Sequence, residues 1–473
     1  MEMNEVQNER KKEVDIAVVA NDGALLDDDG KPKRTGTLWT AAAHIITAVI
    51  GAGVLTLPWV MAQMGWILGI SYIIIVGTVT LYTSNLLADC YRTPDPVTGK
   101  RNTYMEAVKT ILGGKMHLIC GIVQYALLSG AAIGYTITTS VGVVSIQKIN
   151  CFHKKGIEAP CQFSNNPYMI GLGIIEIFLS QIPNFHKLSW LSIIAAATSF
   201  GYAFIGIGLS LATVIQGKGK STSLIGGNSE QSSEDKVWNI LIALGNTALA
   251  SSYSQIAIDI QDSLKSSPPE NKVMKMANKV GLSAMTIIFL LCACSGYAAF
   301  GSNTPGSILM GSGFKEPFWL VDLANVFLVV HLVGAYQVIV QPIFGVVESL
   351  VGQRWPKSSF ISREYSIGIC NLNLFRLIWR TIFVTIVTIL AMAMPFFNEM
   401  LALLGAMGYW PLTIFFPIQM FITKQKIRRL SIKWLGLQTL NFIFMVISIA
   451  TATAAIHGFS EAFHKYKPFK YKM

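Results

Sequence analysis

The chain has 473 residues, 52% hydrophobic and only 13% charged, with a mean hydropathy of +0.49. Soluble domains carry roughly 25% charged residues, and here apolar runs of roughly 18 to 25 residues recur, each long enough to cross a hydrocarbon layer about 30 Å thick. The net charge of +11 does not indicate a nucleic-acid partner, because the basic residues are scattered between the apolar runs and form no stripe with interleaved aromatics.

Residues 1–36 mix acidic and basic side chains (Lys11, Lys12, Asp27, Asp28, Asp29, Lys33, Arg34) with no apolar h-region, so a cytosolic tail and no cleaved signal peptide are expected. Eleven spans follow, at 37–60, 66–88, 117–146, 167–183, 187–215, 237–260, 279–300, 320–349, 374–395, 398–422 and 433–459, separated by Pro, Gly and charged residues. Lipid offers no partner to backbone amides, and unbroken apolar runs exclude the alternation of a barrel, so the fold class is all-α polytopic membrane protein. Most Lys and Arg fall on the N-terminal side of the layer, which favours a cytosolic N-terminus and an extracytosolic C-terminus. Thr103–Leu112 is too short to span and reads as an interfacial lead-in to the third span. Residues 217–235 and 351–369 read as polar loops. Cys151 and Cys161 share one outer connection, where a disulfide is expected; the other five cysteines read as small apolar filler.

Gly51-Ala52-Gly53 followed by Pro58 suits a mid-membrane helix break, which frees amides for an anionic group; small residues there equally suit close helix packing. The sixth span gathers Asn246, Thr247, Ser251, Ser252, Tyr253 and Ser254 in apolar surroundings, facing either neighbouring helices or a wet cavity. His44, two turns before Gly51, and His331 could relay a proton or serve as interhelical hydrogen-bond partners. Glu176, near mid-membrane, must be protonated or paired, while Asp259 and Asp262 reach interfacial water. No phosphate-cradling loop, zinc-protease or serine-nucleophile motif is present, so no enzyme activity and no cofactor are expected.

The stretches AHIITAVIGAGVL, LADCYRTPDPVTGKRN, LSQIPNFHKLSWLSIIAA, GYAAFG, EPFWLVDLANV, VHLVGAYQVIVQPIF and FRLIWRT resemble the plant amino-acid permeases of the amino acid/auxin permease family over nearly the whole membrane region. The resemblance implies a five-plus-five inverted repeat in residues 37–422, an additional eleventh helix with its preceding loop in 423–459, and a short extracytosolic tail at 460–473. It implies a proton-coupled symporter importing neutral and acidic amino acids at the plasma membrane by alternating access, with free L-amino acids and protons as partners. The substrate site it implies is Ile50, Gly51, Ala52, Gly53 and Val54 with Asn246, Thr247, Ala250 and Ser251, and His44 and His331 match histidines typical of the family. One departure stands out: the family pattern has Gly-Asp where this chain has Gly245-Asn246. An amide cannot titrate, so an amino-acid sensor or weakly coupled facilitator is the alternative expectation.

Overall fold

A computed structural model describes residues 26–27, 29, 33–156, 159–182, 189–227, 231–310, 313–367, 370–394, 396–465 and 469. Among the described residues the chain is built almost wholly from helices, which form eleven spans. Span 1 begins as Leu38–Val49, capped by the Thr37 hydroxyl, breaks, and continues through a 3-10 turn, Ala52–Thr56, into the helix Leu57–Ala88. That helix bends at Gly65 and becomes span 2. Span 3 is Gly114–Lys155, span 4 Asn166–Ser180 and span 5 Ser189–Ile215. Span 6 is divided into Ser233–Ala250 and Ser254–Asp262. Spans 7, 8 and 9 are Glu270–Phe300, Phe318–Arg354 and Leu374–Ala393. Span 10 runs through Phe397–Gly408, a π-helical segment Tyr409–Phe415 and Phe416–Lys424; span 11 is Ile432–Lys465.

The helix packing has an internal order. Span 2 lies against span 7, span 3 against span 8 and span 4 against span 9. Span 1 packs on span 7 as span 6 packs on span 2, and span 3 meets span 10 as span 8 meets span 5. Advancing every number by five maps this set of neighbours onto itself, the relation expected of two five-helix repeats. Span 11 lies outside that relation and packs on spans 6 and 10. The main core joins most of the spans, and a second, smaller one is made by Ala132, Tyr336, Val340, Phe344, Val384 and Val387 from spans 3, 8 and 9.

Several boundaries differ from the sequence expectation. Span 3 continues nine residues beyond 146, because Ser145–Lys155 keeps good helix formers up to the left-handed Gly156 (φ 91°). The eleventh helix likewise runs on past 459. Residues 351–369 are not simply a loop: a short antiparallel pairing joins Glu364–Ile367 to Cys370–Asn373. The interfacial helix is Tyr104–Leu112, started by a capping box between Thr103 and Glu106. Sulfurs of Cys151 and Cys161 are bonded, with their Cα atoms 6.0 Å apart. Parts of the expected fourth and fifth spans, residues 183 and 187–188, lie outside the described residues.

At the end of the molecule that carries the disulfide, the connection from span 5 to span 6 does not lie free. Its Gly226 N–H would stand 2.3 Å from a β-carbon on Gly65, and both glycines have positive φ, 74° and 68°. A side chain at either position would clash and strain the backbone. Backbone bonds from Trp66 to Ser223 and Ile67 to Leu224 extend the seam, and the Tyr297 hydroxyl of span 7 meets Ser223 from the other side.

Candidate substrate site

The break in span 1 follows from its residues. Gly51 adopts an extended conformation (φ −108°, ψ −169°), which ends the helix while Ile50 still donates to Ile46 O. Pro58, early in the next helix, lacks the N–H that would have bonded Val54 O. That carbonyl instead receives the Cys292 thiol at 3.4 Å. Ile50 O accepts from the Tyr202 hydroxyl of span 5 at 3.1 Å. Ile50 and Val54 are buried, and a β-carbon on Gly51 would meet nothing within 4 Å, so the break opens on space at Gly51.

Span 6 breaks beside it. Its first helix ends at Ala250, Ser251 N and Ser252 N bond back to Thr247 O and Leu249 O, and the second helix starts at Ser254. Ala250 Cβ would lie 3.1 Å from a β-carbon on Gly53, so the two breaks touch. The Thr247 hydroxyl donates to Ala243 O on its own helix, and Ser251 is buried. Ser252 and Ser254 both meet the Thr413 hydroxyl in the π-helical segment of span 10, at 3.4 and 3.1 Å. Tyr253 donates to Asn278 of span 7 at 2.6 Å. Asn246 is 1% exposed, and neither atom of its amide has a partner among the described residues. Asn246 lies one helical turn before Ala250, so the unpartnered amide belongs to the last turn of the first half of span 6.

The two histidines occupy different settings. His331 is buried, its Nδ1 lies 3.0 Å from Ala195 O, and its ring meets Tyr202 edge-on with centroids 5.8 Å apart. Tyr202 thereby stands between His331 and Ile50 O, connecting span 8 through span 5 to the break. His44 is exposed and has no side-chain hydrogen bond among the described residues, so the interhelical bond considered from sequence is not formed. Thr40, Ala43, His44, Ala48 and Gly51 recur at helical spacing along one accessible stripe that leads up to the break. Glu176 is 5% exposed and finds its partner in Gln337 of span 8, whose Nε2 donates at 2.6 Å.

The face that carries the N-terminal tail, here the tail face, is closed by ions. Arg34 donates to Asp29 through both terminal nitrogens (2.9 and 2.8 Å), to Asp27 at 3.2 Å and to Asp262 at 2.9 Å. The Tyr91 hydroxyl also binds Asp262. Gly36 pairs with Ser263 O and the Lys265 N–H, fastening the start of span 1 to the end of span 6. Arg92 and Arg101 meet Glu270 at 2.7 and 3.3 Å. Burial tends to raise the Asp27 carboxyl, but the hydrogen bonds from Arg34 and the charge of Arg101 hold it below the usual carboxylate range. A cavity of about 560 Å³ opens beside this cluster, lined by Asp29, Arg92, Arg101, Asp259 and Asp262 among others.

Tyr202, Thr413, Gln337 and Arg34 carry no local signal in the sequence. Tyr202 meets Ile50 O, Thr413 meets Ser254, Gln337 meets Glu176 and Arg34 meets Asp262 across more than 150 residues of chain, and only the packing identifies those partners.

Two broken spans at equivalent places in a repeated bundle of five helices define the class of multi-pass membrane carrier folds. The fold is shared with the crystal structure of MhsT in complex with L-phenylalanine, at a TM-score of 0.53 over 90% of this chain and 100% of that one, with 10% identity. The family described as "Transmembrane amino acid transporter protein" matches residues 34–460, and the chain belongs to it. Amino acid permease 8 of Arabidopsis thaliana is 51% identical over 96% of this chain and 98% of its own length. Amino acid permease 1 of the same plant is 50% identical over 96% of both, and Lysine histidine transporter-like 1 is 27% identical over 86% of this chain and 85% of its own length. The protein is a plant-type amino-acid permease of the amino acid/auxin permease family, a multi-pass membrane protein for amino-acid transport.

Proposed function

We propose that the chain is a proton-coupled symporter that imports neutral and acidic amino acids across the plasma membrane by alternating access, with its N-terminal tail in the cytosol. The observation that carries this reading is the contact of the two breaks at Gly53 and Ala250, with open space at Gly51 and the unpartnered Asn246 amide one turn away. In this reading the substrate carboxylate is received in the segment Gly51, Ala52, Gly53 and Val54 by the Ala52 and Gly53 N–H groups that open the 3-10 turn, Gly51 N and Val54 N being bonded to Val49 O and Gly51 O, and the dipole of the following helix favours negative charge there. The amine faces the carbonyl ends of Thr247, Ala250 and Ser251, and Asn246 contributes an amide to the same space. His331, linked through Tyr202 to Ile50 O, and His44, on the stripe approaching Gly51, are the candidates for passing the proton.

Alternating access requires each end to open in turn. The Arg34 cluster is the closure on the cytosolic side, because it fastens the start of span 1 to the end of span 6. Substrate and proton binding together favour its release only to the extent that they bind the open form more tightly.

Asn246 supports a second reading, a sensor or uncoupled facilitator, because its buried amide cannot take up a proton. Radiolabelled uptake of an amino-acid panel in cells lacking their own carriers, with and without a protonophore, separates the two. Uptake that collapses with the proton gradient supports symport. Uptake indifferent to the protonophore selects the facilitator, and substrate binding without uptake, with the protein at the surface, selects the sensor.

A further inference from the structure

Away from the broken helices, spans 4, 8 and 9 enclose a buried polar chain. The Glu176 carboxylate accepts from Gln337 Nε2 at 2.6 Å, and the same nitrogen lies 3.2 Å from the Ser180 hydroxyl. Gln337 and Ser180 are both 0% exposed. One turn below Glu176, Ser180 O accepts from Arg380 Nη1 at 2.5 Å, and Arg380 Nε donates to Glu348 at 2.8 Å. Glu348 also meets Arg376, whose side chain is 45% exposed on the tail face. A continuous line of polar groups thus runs from a carboxyl inside the bundle to the surface that the proposed orientation places in the cytosol.

The groups around Glu176 are few. Span 4 offers no other charged side chain. Span 8 contributes Gln337, Tyr336, whose hydroxyl has no partner among the described residues, and further along His331 and Glu348. Span 9 contributes Arg380, already engaged with Glu348, and span 3 the phenol of Tyr135. No ion pair reaches Glu176 among the described residues. A carboxylate in a bilayer interior without a counter-ion is costly, so the group is held neutral there and releases its proton only when its surroundings change. The neighbourhood is suited to both forms: Gln337 donates to the charged carboxylate, and Arg380 of span 9 binds the carbonyl of Ser180, one helical turn along span 4 from Glu176.

We propose that Glu176 is a proton-binding site of the helix scaffold, protonated and neutral in the closed network, which gives its proton to water entering from the cytosolic side past Ser180 and Glu348, while Arg380, a donor only, stays protonated and favours the carboxylate left behind. The proton leaves the carboxyl for cytosolic water, and the carboxylate left behind is met by the Gln337 amide. Because spans 4, 8 and 9 lie outside the pair of broken helices, the site senses the cytosolic pH without touching the substrate. This inference rests on the proposed proton coupling.

The test uses the full chain expressed at a cell surface, measuring amino-acid uptake while the cytosolic pH is varied at fixed outer pH. Counterflow, the exchange of labelled for unlabelled amino acid at equal pH on both sides, is measured in parallel. Glu176→Gln is expected to keep counterflow and lose the dependence of uptake on cytosolic pH. A dependence equal to that of the unaltered chain would overturn the proposal, as would loss of counterflow with the protein folded and at the surface. Should Glu176→Gln fail to reach the surface, Glu176→Asp replaces it. That variant keeps the titrating group but withdraws it from Gln337, and the cytosolic-pH midpoint is expected to shift; an unmoved midpoint again overturns the proposal. If the unaltered chain itself shows no gradient-driven accumulation, the coupling reading fails, and it does so independently of any variant.

Discussion

Ala250, the last residue of the first half of span 6, approaches Gly53 so closely that a β-carbon on the glycine would lie 3.1 Å from its own. At Gly51, two residues earlier, the same construction meets nothing within 4 Å. One glycine serves packing and the other faces space, so substituting them separates two effects. Gly53→Val is expected to lower surface abundance and uptake together, because extra bulk forced into a close contact costs about 1–3 kcal/mol. Gly51→Ala is expected to leave abundance unchanged and raise the KM for uptake. Surface biotinylation beside uptake kinetics checks both, and a Gly51→Ala variant with unaltered KM would remove Gly51 from the proposed substrate site.

Asn246 has two buried polar atoms, neither with a partner among the described residues. Asn246→Leu should therefore cost little in folding yet reduce uptake, since no internal bond is lost. Asn246→Asp adds a group that can titrate, and proton-coupled current is expected to rise. Current unchanged in Asn246→Asp would show that this position has no part in coupling.

Arg34 is the hub of the tail-face cluster, with Asp27, Asp29 and Asp262 all bound to one guanidinium. Arg34→Ala should free the tail, and its proteolytic cleavage in purified full-length protein should accelerate several-fold. The Asp27 contribution has a definite sign: a carboxyl whose folded pKa is depressed adds stability above the unfolded value of about 4 and loses it as pH falls through the folded value. Cleavage of the tail should thus be insensitive to pH across the neutral range and rise only below the ordinary aspartate range. A rise near neutrality would assign the release to another group.

Arg380 is 10% exposed and Glu348 16%, and the arginine also holds Ser180 O. Replacing Arg380 removes the donor to Ser180 O and leaves Glu348 with Arg376 alone, so the cost is expected to fall below the roughly 3–5 kcal/mol of a fully buried pair that is broken outright. Arg380→Met should lower the thermal unfolding temperature in detergent, and the double change with Glu348→Gln should recover part of it. No recovery would mean that the Ser180 carbonyl, and not the ion pair, is what Arg380 serves.

Much of the architecture was legible because bilayer spans declare themselves locally. Length and apolarity placed the spans with ends off by at most nine residues, at the end of span 3 and the start of span 7, Gly51-Ala52-Gly53 with Pro58 marked the first break, and the polar run after Gly245 marked the second. The interfacial helix was readable in the same way, from a segment too short and too charged to span, whereas its capping box between Thr103 and Glu106 came from the structure. Connections made across the bundle left no such trace. Gln337 differs in no local respect from any other glutamine in a span, and becomes the partner of Glu176 only because spans 4 and 8 cross there. Arg34 meets Asp262 across 228 residues of chain for the same reason. The π-helical segment at Tyr409–Phe415, which brings Thr413 to Ser252 and Ser254, depends on how span 10 is gripped by its neighbours.

The seam at Gly65 and Gly226 bears on how the molecule can be taken apart. The stretch that joins the two five-helix repeats is also built into the corner of the first repeat and held by Tyr297 of the second. It is a shared wall and not a tether, so its length cannot drift as a linker's can. An epitope tag inserted between Ser223 and Gly226 would push the repeats apart, and one placed between Gly219 and Ser221 would meet the end of span 7 at Ala298 and Gly301.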